Sequence, residues 1–289
     1  MTDQRHKYDY QVQPDSAPAR VIRMVGAGRR VLELGPGPGS ITRHLHANGC
    51  RVTALELDEE AIGLVAPFCE QVQRCNLNDP DWPGLLANAG GFSAIVAADV
   101  FEHLYDPWAA LKRALPLLAA DGCLVVSLPH VAHNAVVACL LNEDFAYQPW
   151  GLLDNTHIRF WGLKNMQKLF EEAGFKIVEA EFVVRGPEQT EFAHFWHKLP
   201  ASTRAALSRN RFGNVYQVVM RAVPVAAPGT ALQLDALPVP APALDAGGDS
   251  SALRNLLRRA GGHLDPALQA RIVRLLRRLG LWPKSGANQ

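Results

Sequence analysis

Between about residues 29 and 185, short apolar runs alternate with amphipathic stretches. RRVLEL (29–34) reads as a strand, and SITRHLHANG (40–49) as a helix closing on Gly49. RVTALEL (51–57) is the next strand, followed by a helix over DEEAIGLVAPF (58–68) with acidic residues in its first turn. EQVQRCNL (70–77) gives a weaker third strand. FSAIVAADV (92–100) gives a fourth whose unbroken apolar run suits burial on both faces. In YDPWAALKRALPLLAADG (105–122), Asp106 is placed to cap a helix with Pro107 at its first position, and Pro116 should kink or end it. CLVVSLP (123–129) is a fifth strand. LKNMQKLFEEAGFKIVEAEFVV (163–184) is a helix stopping at Gly174 and then a strand. NVYQVVMRAVP (214–224) is a last strand, expected to pair antiparallel with its neighbour at the sheet edge. Strand–helix alternation of this kind requires right-handed crossovers, so the predicted fold is α/β, doubly wound on a mostly parallel sheet.

The C-terminal part follows a different pattern. Residues 223–249 hold five prolines among Ala, Gly and Val and too little apolar rhythm to fold, which predicts a linker. Residues 250–289 carry eight Arg or Lys against one acid, Asp265. There Leu268, Ile272, Leu275, Leu276 and Leu279 share one helical face. The expected organisation is an N-terminal lid or extension over 1–28, a catalytic domain over 29–223, the Pro-rich linker over 224–249 and a basic amphipathic helical tail over 250–289. The tail has three readings: docking on a partner protein, lying on an anionic membrane surface, or folding onto its own domain. Composition narrows the class. The chain is 48% hydrophobic and 20% charged with a net charge of +1, so no global field points to nucleic acid. Five unpatterned cysteines suit reduced thiols, and neither a signal peptide nor a spanning segment is evident. The expected location is cytoplasmic, with the tail allowing a peripheral position at the inner membrane surface.

The chemistry centres on VLELGPGPGS (31–40). No lysine follows the glycines, so this is not a phosphate loop. In a dinucleotide fingerprint the third glycine would fall on Ser40. Glu33, at the strand end beside the turn, suits an ammonium and would repel a pyrophosphate. Glu56, at the end of the second strand, can accept both hydroxyls of a ribose. The ligand implied is an amino acid joined to a nucleoside.

Taken together, VLELGPGPGSITRHL, VTALELDEEAI and FSAIVAADVFEHLYDPWAALKRALPLLAADGCLVVSLPHVAH resemble the successive motifs of class I S-adenosylmethionine-dependent methyltransferases over roughly residues 8–224. The resemblance implies a seven-stranded Rossmann-like sheet and S-adenosylmethionine as cofactor. It implies that Glu33 holds the methionine ammonium and that Gly35, Pro36 and Gly37 line the methionine and ribose. It further implies that Glu56 binds the ribose hydroxyls, Leu57 packs on adenine, Asn76 contacts the adenine amino group and Asp99 edges the methionine. Tyr10, with Tyr8, is placed either as a lid over the cofactor or as an aromatic anchor. Ligands of open α/β sheets bind beyond the carboxyl ends of the strands, so catalytic candidates come from the loops there: His130, His133 and His157, with Asp154 and Arg159 as acceptor-binding residues. Asp99, Glu102 and His103 could also supply three metal ligands, with His133 or His157 as a fourth, as a similar arrangement does in some relatives. The alternative is that Glu102 and His103 orient the helix entry, and the reading assigns no metal.

The stretches at 127–141 and 151–175 are similar to a subgroup tied to glycan and lipid-glycan assembly, and also to quinone O-methyltransferases. The expected reaction is O-methylation of a small-molecule or glycan-like acceptor. Two rivals stay open: a cofactor-binding module that regulates a partner enzyme, and a nicotinamide-dependent oxidoreductase.

Overall fold

The computed structural model describes residues 12–86 and 91–241. Its sheet is built from β1 (Arg30–Leu34), β2 (Arg51–Glu56), β3 (Gln71–Arg74), β4 (Phe92–Ala98), β5 (Leu118–Pro129), β6 (Phe175–Val184) and β7 (Val215–Pro224). Their spatial order is β3-β2-β1-β4-β5-β7-β6. The first five strands pair in parallel, whereas β7 runs antiparallel to both β5 and β6. The last strand is thus antiparallel as expected, but it is inserted between its neighbours, and β6 forms the edge. Chain order reverses between β1 and β4, which opens a crevice at their carboxyl ends.

Apolar positions alternate between two layers. Leu32, Leu34, Ile95 and Ala97 face one core with the helices α4 (Pro107–Ala114) and α6 (Leu163–Glu172). Val31, Val52, Ala94 and Val96 face the other, with α1 (Ala17–Val25) and α2 (Thr42–Ala47). A sheet covered on both sides explains the nearly continuous apolar runs of β4 and β5. The helix α3 (Glu59–Val65) begins where Asp58 accepts from the Ala61 N–H at 2.9 Å, and Asp106 does the same for Ala109 at the start of α4.

Three expectations change here. The stretch assigned to the N-terminal extension contains α1, which is capped by Ser16 and buries Ala17, Val21, Met24 and Val25 under the sheet. Pro116, with no N–H to donate, ends the helix early as expected, but the fifth strand, expected from Cys123, already opens at Leu118. The stretch expected as a linker is packed as far as it is described. Leu234 is 1% exposed in the core, Leu232 donates to Ile177 O at 2.8 Å, and Gln167 bonds both Leu232 O and the Leu234 N–H. The unit containing the sheet runs to Pro242. Tyr10 and the basic tail lie outside the described residues. No helix among the described residues is long and apolar enough to cross a membrane.

Candidate active site

The crevice holds a cavity of about 280 Å³, lined among others by Glu33, Gly35, Pro36, Asp99, Glu102, His103, Asp154 and His157. Glu33 ends its strand beneath the turn into α2 and is 2% exposed; its Oε2 accepts from the Thr42 hydroxyl at 2.8 Å. Burial raises its carboxyl to about 7, against the pull of Thr42 and with a smaller push from the Glu56 charge. Gly35 has φ +62, and a Cβ there would come 3.0 Å from Val100 Cγ2, so the turn needs glycine. Glu56 sits at the end of β2, accepting from the Gly37 N–H at 2.8 Å and from the Leu57 and Asp58 N–H groups. That ties the glycine turn to the second strand. Leu57 is 52% exposed beside it, an apolar side chain only half covered by protein. Asn76 is exposed, with Oδ1 accepting from the Asn78 N–H.

Asp99 occupies positive φ (+56), a conformation rare outside glycine, and its Oδ1 accepts from Ser127 and Gln217. Desolvation holds its carboxyl above the usual range despite those donors. Glu102 is fully buried, its two oxygens have no hydrogen-bond partner, and desolvation, reinforced by the Asp99 charge, pushes its carboxyl well up. His157 Nε2 lies 3.9 Å from Glu102 Oε1, and burial lowers the imidazole to about 4, so it is neutral at pH 7.

The three histidines named from sequence separate at this point. His157 reaches the cavity. His133 is the N-cap of α5 (Asn134–Leu141): Nδ1 accepts from the Ala135 N–H at 3.1 Å and Nε2 donates to Arg185 O at 2.9 Å. Neither nitrogen is left for a substrate. His130 Nδ1 donates to Val215 O at 3.0 Å, and the residue is 2% exposed without reaching the cavity wall. Arg159, exposed, donates to Tyr105 O and also lies off that wall, while Asp154 is on it. Sequence reasoning left out Trp150, Tyr216 and Gln217, which also wall the cavity. Gln217 and Tyr216 arrive on β7, and only its insertion beside β5 brings them there.

A family model described as a methyltransferase domain matches residues 6–180, more than half of the chain. The chain belongs to that family. A ubiquinone biosynthesis O-methyltransferase from Aromatoleum aromaticum is 24% identical over 157 residues, 53% of this chain and 66% of that protein. The enzyme of the same name from Coxiella burnetii is 24% identical over 168 residues, 57% of this chain and 71% of its own length. The match thus spans about two thirds of those relatives. The CcbJ methyltransferase from Streptomyces caelestis, among solved structures, superposes with a TM-score of 0.49 at 16% identity, covering 76% of this chain and 94% of that one.

The methyltransferase takes its methyl group from S-adenosylmethionine, and the crevice fits that group. Glu33 is a buried carboxyl that no described Lys or Arg pairs with, set where an ammonium would be the natural partner. Glu56 and Leu57 stand at the next strand end, one polar and one apolar, as a ribose followed by a base requires.

Proposed function

We propose that this methyltransferase transfers the methyl group to a hydroxyl oxygen of a small-molecule acceptor. One cavity carries the reading: it is lined both by Glu33, Gly35 and Pro36, suited to the donor, and by Glu102 and His157, suited to a hydroxyl and its proton. Glu33 binds the donor's ammonium, Gly35, Pro36 and Gly37 line its methionine and ribose, and Glu56 accepts the ribose hydroxyls. Leu57 packs on the base, the Asn76 side chain meets the base edge, and Asp99 bounds the methionine end. When bound, the sulfonium supplies an electrophilic methyl group; its C–S bond breaks as the C–O bond forms, and the hydroxyl proton leaves.

The chain's own part is alignment, exclusion of water and a destination for that proton. His157, neutral and facing Glu102 across 3.9 Å, forms that destination. Asp154 orients the loop that carries His157, its Oδ1 accepting from the Thr156 N–H and hydroxyl. Both relatives are named as O-methyltransferases, which supports oxygen as the acceptor atom and gives no support to a glycan-like one.

Calorimetric titration of the purified chain with S-adenosylhomocysteine is the first test, repeated with NADH and with Glu56→Ala. The expected result is micromolar binding of S-adenosylhomocysteine, weakened at least tenfold in the variant, with no heat from NADH. Binding of NADH instead would replace this reading with an oxidoreductase. Transfer of labelled methyl from S-adenosylmethionine to catechol then tests oxygen as the target.

A further inference from the structure

We propose that Glu191 is a positioning residue for methyl transfer, its carboxylate clasping the loop of residues 148–155 to Tyr216 on β7 and so setting how wide an acceptor the cavity admits. The inference rests on the methyl-transfer reading, because the loop and Tyr216 line the cavity in which the acceptor would sit. Glu191 itself does not line it, so it acts only through the residues it holds.

The loop closes on itself at its base: the Gln148 N–H donates to Leu153 O at 2.9 Å and the Asn155 N–H to Gln148 O at 2.8 Å. Trp150 and Gly151 form its tip, and both line the cavity. Glu191, just before the helix α7 (Ala193–Lys198), reaches that tip. Its Oε1 accepts from the Leu152 N–H at 2.8 Å. Its Oε2 accepts from the Tyr216 hydroxyl at 3.3 Å, with Oε1 at 3.5 Å from the same hydroxyl. One carboxylate thus joins two parts of the cavity wall that are remote in sequence. The approach leaves no room for a side chain on the loop. Gly151 has φ +92, and a Cβ there would overlap Glu191 Oε1 and fall 2.7 Å from its Cδ.

The two partners differ in how firmly they are held. Tyr216 is fixed: the Arg185 guanidinium lies 4.6 Å from its ring centroid, the His133 ring stands edge-on with centroids 5.8 Å apart, and His133 Nε2 donates to Arg185 O. Burial, with the Glu191 charge adding to it, raises the Tyr216 phenol above its ordinary range, so it stays a donor to the carboxylate. In the loop, Leu152 and Leu153 are buried in one core with Phe192, whereas Trp150 at the tip is 54% exposed. The packed base places the loop, and the bond from Glu191 to the Leu152 N–H sets its tip against Tyr216. The same bond reaches the proposed proton acceptor. The Asp154 N–H donates to Gly151 O at 3.2 Å, and Asp154 orients the Thr156 turn that leads to His157. A misplacement of about 1 Å in such a wall can cost roughly 100-fold in rate, which makes a single clasp consequential.

The test uses the full chain with Glu191→Ala, Glu191→Gln and Gly151→Ala. Hydrogen exchange read by mass spectrometry should be at least about tenfold faster over residues 148–155 in Glu191→Ala, the usual worth of a hydrogen bond to a charged group. Glu191→Gln, whose amide oxygen still accepts from Leu152, should recover most of the protection. Gly151→Ala, which drives its Cβ into the carboxylate, should act like Glu191→Ala and takes its place should that variant fail to fold. S-adenosylhomocysteine affinity should be unchanged in all three. With catechol and the wider 4-tert-butylcatechol as acceptors, Glu191→Ala should raise KM more than it lowers kcat and reduce the preference for the narrower compound, and Glu191→Gln should restore both. Unchanged exchange in Glu191→Ala would overturn the proposal. So would faster exchange with KM and preference unaltered, or a loss of S-adenosylhomocysteine affinity in step with the loss of activity, which would mark a general lesion. Wild-type chain that binds S-adenosylhomocysteine but methylates neither catechol removes oxygen transfer to catechols, and exchange alone then decides the clasp. Wild-type chain that does not bind S-adenosylhomocysteine removes the methyl-transfer reading itself.

Discussion

At the residue scale, Glu33 has the clearest consequence. Its carboxyl keeps a proton up to about pH 7 because it is buried, yet the ammonium it is proposed to meet favours the ionised form. Binding must therefore expel a proton below pH 7. Affinity for S-adenosylhomocysteine should be flat above about pH 7.5 and fall by up to about tenfold per unit below pH 7, with Glu33→Gln binding weakly at every pH. Calorimetry from pH 6 to 8, in two buffers of different ionisation enthalpy, reads both the slope and the proton count. In the free protein the sign is opposite. The folded carboxyl binds its proton more tightly than the ordinary value of 4.5, so the contribution to stability is present below that value and is lost as pH rises towards 7. Glu33 and Glu56 were legible from sequence because a strand end beside a glycine turn fixes where a side chain must be. Choosing among His130, His133 and His157 was not possible, since all three follow strands in the same way. Which one keeps a free nitrogen depends on backbone carbonyls of Val215 and Arg185, 85 and 52 residues away.

At the scale of elements, most strands and helices announced themselves through period and caps. The misses lie where local signals were weak or outvoted. Residues 118–122 have helical composition, but Pro116 and pairing with β4 make them strand, with a register irregularity between Phe92 and Ala94 absorbing the join. The stretch at 224–241 looked like linker because prolines and small residues dominate it. Buried Leu234, one backbone bond to β6 and two bonds to the Gln167 side chain on α6 dock it nonetheless. If that docking is part of the folded unit, Leu234→Ala should destabilise the protein by about 2–4 kcal/mol, the usual cost of emptying a buried leucine site. Urea unfolding measures it; a change below about 0.5 kcal/mol would mean the segment detaches freely.

At the scale of the whole molecule, the cavity is a place where carboxyls converge without a basic side chain among the described residues. Arg159, expected to bind the acceptor, donates to Tyr105 O and lies off the cavity wall. An acceptor bearing a carboxylate near its hydroxyl would thus meet no Lys or Arg among the described residues of the wall, and like charge around it. With catechol and 3,4-dihydroxybenzoate as probes, kcat/KM for the carboxylated compound should be lower by at least about tenfold. Equal rates would show that the field of these carboxyls does not reach the acceptor.

The sequence alone determined the α/β class, a mostly parallel sheet and the placing of Glu33 and Glu56 at strand ends beside the glycine turn. Each of these depends on neighbours in the chain: a period of two or 3.6, a glycine turn, a carboxylate at a strand end. The part of the cavity lined by Glu102, His157, Tyr216 and Gln217 was decided only by tertiary structure. Insertion of β7 between β5 and β6 carries Tyr216 and Gln217 to the cavity, and folding of the 147–158 loop sets His157 against Glu102 across 55 residues. Burial of Glu102 and the commitment of His133 to backbone groups follow from that packing, and burial is a property of the assembled chain, not of any local run of residues.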